Sequence, residues 1–444
     1  MDARIADLRT AEGPAPVDSI APEADAQTIV IVGLGYVGLP LAVALARSFP
    51  AWGLDINADR VAELGKGEDR TGEIDAETLG ASALHYTSDA AACPPADVYI
   101  VTVPTPVDER NRPDLRALIA ASEMVGRMID PARKPLIIFE STVYPGVTEE
   151  LCVPAMERVS GLKWKDDFVV GYSPERINPG DREHTVDRII KVVSGDSEET
   201  TARVSAIYDR VTTGGTFRAA SIKAAEGAKA IENAQRDVNI AFMNEVTRIF
   251  SKLDVSIWDV LDAAKTKWNF LPFTPGLVGG HCIGVDPYYL SHRSIELGHL
   301  PEVIPAARSV NDDMGRWIAD TLHLKMKRIS LRILILGVTF KEDVPDLRNS
   351  KVGDIVKRFW FHGHSVTVHD PLANADEAAA DYGVHLDPDA LTRSYDLVVA
   401  AVSHRLYREM DNAALAALVD RSGLFADVKG VFRGRNFGRT IWTL

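Results

Sequence analysis

The chain has 444 residues, which corresponds to two large domains or three ordinary ones at roughly 150 residues per domain. Apolar residues make up 46% and charged residues 25%, a globular composition that excludes a mostly disordered chain, a collagen and a coiled-coil rod. The formal net charge of -14 argues against a general basic surface for nucleic acid or an anionic membrane, although a few local cations can still hold a small anion.

The termini and the cysteines indicate a cytoplasmic protein. The chain contains no run of 18 apolar residues, so we expect no membrane helix. Its first residues, MDARIADLRT, lack the apolar segment of a secretory signal. Three cysteines (Cys93, Cys152 and Cys282) are too few for a disulfide framework and do not have metal-site spacing, so we expect a reducing compartment and no metal.

The N-terminal part alternates strands and helices. Residues 1–26 are rich in Ala, Pro, Asp and Glu, lack periodicity and are predicted to form a flexible tail. Order is predicted to begin at Thr28, where a β-branched apolar run leads into a glycine loop and a helix. Further strands are predicted at 51–54, 98–103, 136–140 and 168–171. This alternation predicts a doubly wound parallel sheet in a domain of residues 27–213.

The pattern changes in the middle of the chain. Residues 221–253 contain no proline, have a helical period and predict one long helix; helical patterns resume near 306–327. We therefore predict a helical central domain at 214–327. The runs LRILILG, SVTVHDP, DLVVAAVS and GLFADVKG predict a second sheet at 328–444. The predicted fold class is α/β, with two doubly wound, Rossmann-like parallel-sheet domains joined by a helical domain with a long helix.

A glycine motif follows the first predicted strand. Gly33 permits a tight turn, Gly35 lets a diphosphate approach the backbone, and Gly38 lets the helix pack on the strand. Asp55 ends the next strand, where a carboxylate binds a ribose diol and repels a 2′-phosphate, so NAD is favoured over NADP. The alternative is a glycine turn without a nucleotide. Arg60 could lie against the adenine or be a solvated helix residue.

A second glycine-rich segment, FTPGLVGGHCIGVD at 273–286, surrounds Cys282. Glycines let backbone N–H groups converge on an oxyanion, and a catalytic thiol needs a deprotonating environment such as His281, Asp286 and loop amides. The alternative is a buried structural cysteine.

A polar stripe is predicted on the long helix. Lys229, Asn233, Arg236 and Asn244 share one face by their spacing. A Lys–Asn pair one turn apart can polarise an oxygen or move a proton. The alternative is a solvated helix face.

Loops at the ends of other predicted strands also carry charge. Lys341 and Arg348 follow the first strand of the second sheet and could hold a diphosphate. Glu175 and Arg176 lie in the segment GYSPERINPGD, which also follows a strand. Ordinary surface charge is the alternative for these residues.

In combination, these motifs resemble the UDP-glucose/GDP-mannose dehydrogenase family from residue 28 to the C-terminus, and its branch that oxidises UDP-N-acetylhexosamines in particular. The matching segments, in order, are GLGYVGLP, VPTP, ESTVYPGVT, SPERINPGD, the helix with Lys229 and Asn233, PGLVGGHCIGVD and GVTFKEDVPDLRNS. The resemblance implies an NAD-binding sheet, a sheet that binds the UDP-sugar, and a homodimer built on the central helix. It also implies a role in bacterial surface-polysaccharide biosynthesis.

The implied reaction is a four-electron oxidation of the sugar C6 hydroxyl to a carboxylate with two NAD, through a cysteine thiohemiacetal and thioester. The residues implied in catalysis are Cys282, Lys229, Asn233, Asp286, Glu175 and Thr142. Those implied in NAD binding are Gly33, Gly35, Tyr36, Val37, Gly38, Asp55, Arg60, Thr105 and Thr142. Those implied in UDP-sugar binding are Glu175, Arg176, Ile177, Lys229, Asn233, Arg236, Gly279, Lys341, Arg348 and Lys267, the last in the partner subunit's site.

Other functions remain as alternatives. UDP-GlcNAc is the expected substrate, but UDP-GalNAc or UDP-glucose would be oxidised by the same mechanism. Sugar epimers differ in one hydroxyl orientation, and about 1–3 kcal/mol of contact energy discriminates them, which residue types do not show. A two-electron hydroxyacid or polyol dehydrogenase would need no cysteine nucleophile. A cofactor-binding scaffold with an inactive site would not need the set of Lys229, Asn233, Cys282 and Asp286.

Overall fold

The computed structural model describes residues 27–176, 187–280 and 283–444 of the chain. Two β-sheets, each covered by helices on both faces, lie on either side of a helical region. The strands of the first sheet are β1 Ile29–Val32, β2 Ala51–Leu54, β3 His85–Thr87, β4 Val98–Val101, β5 Leu136–Phe139, β6 Val169–Tyr172, β7 Lys191–Gly195 and β8 Thr216–Arg218. The strands of the second sheet are β9 Arg332–Leu336, β10 Ser365–His369, β11 Tyr395–Ala400, β12 Val419–Asp427 and β13 Thr440–Thr443.

The strand order of the first sheet positions the site. The order is β3-β2-β1-β4-β5-β6-β7-β8, so the strand order reverses between the parallel strands β1 and β4, and a crevice opens at their carboxyl ends. β1, β4 and β5 are buried along their whole length, because helices cover both faces of the sheet. The predicted fold class is confirmed, with one correction: β6 and β7 pair antiparallel, so the first sheet is mixed rather than wholly parallel.

The helices cover the two sheets and fill the region between them. They are α1 Gly38–Leu45, α2 Ala58–Leu64, α3 Ala76–Ala81, α4 Arg116–Met128, α5 Val153–Ser160, α6 Glu198–Tyr208, α7 Ile222–Lys252, α8 Ile257–Ala264, α9 Asp286–Glu296, α10 Val303–Met326, α11 Val352–Phe361, α12 Ala375–Tyr382, α13 Arg405–Glu409 and α14 Asn412–Leu418.

The predicted long helix is α7, which has 31 residues and extends about 46 Å at 1.5 Å per residue. The Ser221 side chain caps it by accepting a bond from the Ala224 N–H. Near its start, the buried Glu226 carboxylate accepts bonds from the N–H groups of Gly146 (2.6 Å) and Thr148 (3.0 Å) of the first domain. This long-range cap fixes the position of α7 against the first sheet.

Both sheets repeat one loop arrangement. In the first, the Asp55 carboxylate at the end of β2 accepts a bond from the Leu34 N–H (2.8 Å) after β1. In the second, Asp370 at the end of β10 accepts a bond from the Val338 N–H (2.6 Å) after β9. Each carboxylate therefore fixes the loop that begins at the carboxyl end of its sheet's first strand.

Across the described ranges 27–176, 187–280 and 283–444, no helix combines the length and the apolar character needed to cross a membrane. The predicted tail of residues 1–26 lies outside those ranges. The predicted domain limits at 213 and 327 stay predictions.

Candidate active site

A cavity of about 1140 Å³ lies at the carboxyl ends of the first sheet and is closed on one side by the second domain. Its walls include residues that the sequence predicts to bind the cofactor, to take part in catalysis or to bind the substrate. Those residues are Gly33, Gly35, Tyr36, Val37, Asp55, Thr105, Thr142, Glu175, Lys229, Asp286 and Arg348.

The glycine loop has the geometry that a diphosphate requires. Gly33 has φ +97°, which favours glycine, and a Cβ on Gly38 would lie 1.9 Å from the Gly33 carbonyl oxygen. A Cβ on Gly35 would meet no atom within 4 Å, so its backbone faces open space in the cavity. The N-terminus of α1 has no side-chain cap, and its N–H groups can bind an anion there.

Asp55 lies at the cavity wall beside this loop. Its two oxygens accept bonds from the N–H groups of Leu34 (2.8 Å) and Asn57 (2.9 Å), which fixes the orientation of the carboxylate. Each carboxylate oxygen has a second lone pair, so a ribose diol can still donate to Asp55. The loop and Asp55 together fit an NAD molecule, with the diphosphate at Gly35 and the ribose at Asp55.

Arg60 differs from its predicted surroundings. Its side chain is buried, donates from Nε to the Leu34 carbonyl (3.0 Å) and pairs with Asp69 (2.7 Å) and Glu63 (2.8 Å). The alternative of a solvated residue is therefore wrong. Arg60 stabilises the glycine loop through its hydrogen bond to the Leu34 carbonyl. Its predicted contact with adenine stays a prediction.

Lys229, Asn233 and Asp286 meet at the junction of α7 and α9. The Asn233 amide donates a hydrogen bond to the Asp286 carboxylate, and all three side chains are buried. Burial raises the pKa of Asp286 to about 6, and the nearby Lys229 charge opposes that rise. A solvated helix face is thus wrong for Lys229 and Asn233. Arg236 is exposed and does not line the cavity.

Two threonines hold neighbouring loops of the first sheet together. The Thr105 hydroxyl donates to the Thr142 carbonyl (2.7 Å), and both residues line the cavity. The Tyr289 hydroxyl from α9 donates to the Thr105 carbonyl (2.6 Å). Sequence reasoning missed Tyr289, because nothing local in the segment DPYYL shows that one tyrosine reaches a loop 184 residues away.

Glu175 belongs to a buried ionic cluster that sequence reasoning also missed. The Lys191 ammonium lies 3.0 Å from the Glu140 carboxylate and 3.3 Å from that of Glu175, and the Tyr208 hydroxyl donates to Glu140. Burial, the largest influence, raises the pKa of Glu140 to about 7, while the Lys191 charge opposes the rise. A detectable signal was present: Lys191 is a charged residue within the apolar strand sequence IIKVV.

The second domain contributes Arg348 to the cavity. Its guanidinium lies 4.4 Å from the centre of the Tyr36 ring of the glycine loop and pairs with Asp346 (2.6 Å). Loops of the two domains therefore meet at these side chains. Lys341 lies on the same loop, half-buried, but is not among the cavity walls.

The glycine-rich segment before Cys282 is fixed by both neighbouring elements. Asn244 of α7 makes two hydrogen bonds of 2.9 Å with the backbone of Gly276, and the Gly280 N–H donates to the Arg348 carbonyl (3.1 Å). A Cβ on Gly279 would lie 2.8 Å from the Asn349 carbonyl oxygen, so glycine is required by close approach.

Arg176 and Lys267 are not among the cavity walls. Cys282 and Ile177 lie outside the described residues. Arg176 pairs with Glu232 of α7 at 2.7 Å, and Lys267 is exposed after α8. Within the described residues, no group of three or more His, Cys, Asp or Glu side chains is arranged to hold a metal ion.

A dinucleotide loop facing a buried Lys–Asn–Asp cluster and an arginine from a second sheet is the arrangement of an NAD-dependent dehydrogenase with an anionic substrate. Three models of the UDP-glucose/GDP-mannose dehydrogenase family match the chain: the NAD-binding domain at 27–212, the central domain at 223–313 and the UDP-binding domain at 334–434.

Individual proteins match over nearly the whole chain. Protein CapL of Staphylococcus aureus is 47% identical over 94% of this chain and 100% of its own length. The UDP-N-acetyl-D-glucosamine 6-dehydrogenase of Pseudomonas aeruginosa is 47% identical over 90% of this chain and 96% of its own. The solved structure of the UDP-D-ManNAc dehydrogenase of Pyrococcus horikoshii has a TM-score of 0.83 at 27% identity and covers 94% of this chain and 98% of its own.

The chain belongs to the UDP-glucose/GDP-mannose dehydrogenase family. It is an NAD-dependent nucleotide-sugar dehydrogenase, whose substrate is a UDP-sugar.

Proposed function

We propose that this enzyme oxidises the C6 hydroxyl of a UDP-N-acetylhexosamine, UDP-GlcNAc first, to the carboxylate and uses two NAD per sugar. The observation that carries the proposal is the single cavity in which the NAD loop, Lys229 with Asp286, and Arg348 share one volume. The 47% identity with the Pseudomonas aeruginosa enzyme, named for UDP-N-acetyl-D-glucosamine, supports the choice of sugar.

The first oxidation removes a proton from the C6 hydroxyl and a hydride from C6. NAD, when bound, supplies the hydride acceptor. Lys229 and Asn233 hold the hydroxyl oxygen, and a water near Thr142 and Asp286 takes part in moving the proton. Lys229 and Asp286 are both buried at the cavity wall, so their charges act on the C6 hydroxyl with little screening by water.

The second oxidation needs a nucleophile, because the aldehyde has no sp3 carbon from which a hydride can leave. The Cys282 thiolate adds to the aldehyde and gives a thiohemiacetal, which loses the second hydride to become a thioester. Water then attacks the thioester carbonyl, its proton goes to Glu175, and the C–S bond breaks with the electron pair on the thiolate. Lys229 assists this hydrolysis. The sum is one alcohol and one water converted to a carboxylate, two hydrides and three protons.

The sugar nucleotide is held mainly by the second domain. Arg348 at the cavity wall and Lys341 beside it bind the diphosphate, and the Gly279 backbone approaches the sugar nucleotide. Arg176, Ile177 and Arg236 complete the binding set in this proposal. Arg236 is exposed, so its contact requires that the substrate extends beyond the cavity wall.

We also propose a homodimer built on α7. Three large apolar side chains of this helix are exposed: Ile231 by 60%, Phe242 by 58% and Ile249 by 50%. Exposed apolar surface of this kind is typical of a protein interface. Lys267, followed by the 77% exposed Trp268, would reach the partner's site as a point charge.

The product would be a nucleotide-linked uronate for surface polysaccharides, and the resemblance to enzymes of those pathways supports this role. Because both substrates are cytoplasmic nucleotides, we propose that the reaction takes place in the cytoplasm.

The test counts NADH per sugar nucleotide at completion with UDP-GlcNAc, UDP-GalNAc and UDP-glucose, for the natural enzyme and for Cys282→Ser. We expect two NADH per sugar, the highest rate on an N-acetylhexosamine, and arrest in the variant. One NADH per sugar would contradict the four-electron mechanism. Activity on UDP-glucose alone would keep the mechanism and overturn the substrate.

A further inference from the structure

The buried ionic cluster beside the cavity consists of Glu140, Glu175, Lys191 and Tyr208. It joins four elements: Glu140 follows β5, Glu175 follows β6, Lys191 begins β7, and Tyr208 ends α6. The side chain of Lys191 is 0% exposed, and Glu140 and Glu175 are also among the cavity walls. The cluster is therefore placed between the core of the first domain and the reacting space.

Stability alone does not favour this arrangement. Two carboxylates share one buried ammonium, and an apolar trio of similar volume is often as stable or more stable. Burial raises the pKa of Glu140 to about 7, so the cluster can hold an additional proton near neutral pH. Buried ionic groups that reduce stability and line a cavity indicate a functional role.

The geometry points to Lys191 as a positioning residue for Glu175. Its ammonium lies against Oε2 of Glu175, while Oε1 accepts a bond from the Arg176 N–H (2.5 Å), so both carboxylate oxygens have fixed directions. The positive charge of Lys191 also favours the ionised form of Glu175, which is the form that can take a proton from water. This inference rests on the proposed function, in which Glu175 is the base of thioester hydrolysis.

The proton balance gives Glu140 a part in the same step. When Glu175 takes the proton of the attacking water, the negative charge of the cluster falls by one, and Lys191 stays paired with Glu140. Without Lys191, the two carboxylates would face each other in a buried site and share one proton, which would leave Glu175 neutral part of the time.

Other charged groups contribute to the field at Glu175. Lys229 of α7 and Asp286 of α9 line the same cavity, and Arg176 is its neighbour in the chain. Glu226, one turn before Lys229 on α7, is a further buried carboxyl. Lys191→Met, Glu140→Gln and the double variant leave all four groups in place, so these variants change only the charges of the cluster.

The experiment uses Lys191→Met, Glu140→Gln and the double variant, with Lys163→Met as the matched control at an exposed lysine. Rapid mixing with UDP-GlcNAc and NAD records NADH in the first turnover, and intact-protein mass reports a covalent sugar-nucleotide adduct. Both are measured from pH 6 to 9, with circular dichroism to verify folding.

For Lys191→Met we expect two NADH per site followed by an accumulating adduct, with hydrolysis slower by about 10²-fold at pH 7. The acid limb of the hydrolysis rate should move to higher pH by at least one unit. In the double variant with Glu140→Gln, the acid limb should move back to lower pH, because Glu175 is then the one carboxylate that remains in the cluster. A merely structural lysine would lower the folded fraction without a pH shift and without such rescue.

An unchanged acid limb in Lys191→Met, or a double variant no faster than the single one, would overturn the inference. If Lys191→Met does not fold, the test rests on Glu140→Gln. The acid limb of its hydrolysis rate should move to lower pH, and an acid limb at the same pH as in the natural enzyme would overturn the inference. Failure of the proposed function is distinguishable, because the natural enzyme would then give one NADH per sugar or an adduct that does not depend on Cys282.

Discussion

Two glycines of the same loop should respond to alanine in opposite ways. In Gly38→Ala the new Cβ would lie 1.9 Å from the Gly33 carbonyl oxygen and 2.4 Å from the Thr102 hydroxyl, so the backbone must shift. Forcing a methyl group into a packed site costs about 3 kcal/mol. At roughly 2–4 °C per kcal/mol for a domain of this size, the unfolding midpoint should fall by about 6–12 °C.

Gly35→Ala should leave the stability of the fold unchanged and weaken the binding of NAD. Its Cβ would meet no protein atom within 4 Å, so we expect a change in unfolding free energy within about 0.5 kcal/mol. The methyl group would project into the cavity where the diphosphate approaches the backbone. We expect NAD binding weaker by about 10- to 100-fold, which corresponds to about 1.4–2.7 kcal/mol.

Thermal unfolding without ligand and calorimetric titration with NAD measure the two effects separately. Two results would contradict this prediction: Gly35→Ala binds NAD as tightly as the natural enzyme, or it lowers the unfolding midpoint as much as Gly38→Ala does. Either result would mean that the diphosphate does not lie against this loop or that the loop is packed differently.

Three further predictions concern buried polar groups. In the natural enzyme, the rate at which the first NADH forms should fall as the pH drops below about 6, because Asp286 then takes up a proton. The variant Asp286→Asn should show no such acid limb in its pH–rate profile, and its rate at pH 8 should be lower by about 10²-fold. A limb that persists in the variant would assign it to another group. Glu226→Ala removes the acceptor of two backbone N–H groups and should lower the free energy of unfolding by about 2–4 kcal/mol in denaturant titrations; a loss under 1 kcal/mol would show that water replaces it. Asn244→Ala frees the backbone of Gly276, so kcat should fall more than the affinity for NAD in steady-state kinetics, and an equal loss of both would contradict a local effect on the Cys282 loop.

The sequence was sufficient for features that depend on local pattern. The apolar run of β1, the glycines after it and Asp55 at the end of β2 are defined by spacing within one βαβ unit, and the structure places Gly35 and Asp55 on one cavity. The length of α7 was predictable for the same reason, since its period continues without proline from Ile222 to Lys252.

Residues whose environment comes from distant segments were predicted less well. The spacing of Lys229 and Asn233 fits a solvated helix face equally well, and only the packing of α9 against α7 buries both side chains beside Asp286. Arg60 had solvent as one predicted environment, but its Nε donates to the carbonyl of Leu34, 26 residues earlier in the chain, and the side chain is buried beneath the glycine loop.

The family, the cofactor and the order of the elements follow from the amino-acid sequence alone, because each is recorded in short motifs with fixed spacing. The folded structure is needed to know which charges meet. Lys191, Glu140 and Glu175 lie 16 to 51 residues apart and come together because β5, β6 and β7 are neighbours in one sheet. A buried charge is tolerated only beside a charged partner, and strand order, not distance along the sequence, selects that partner.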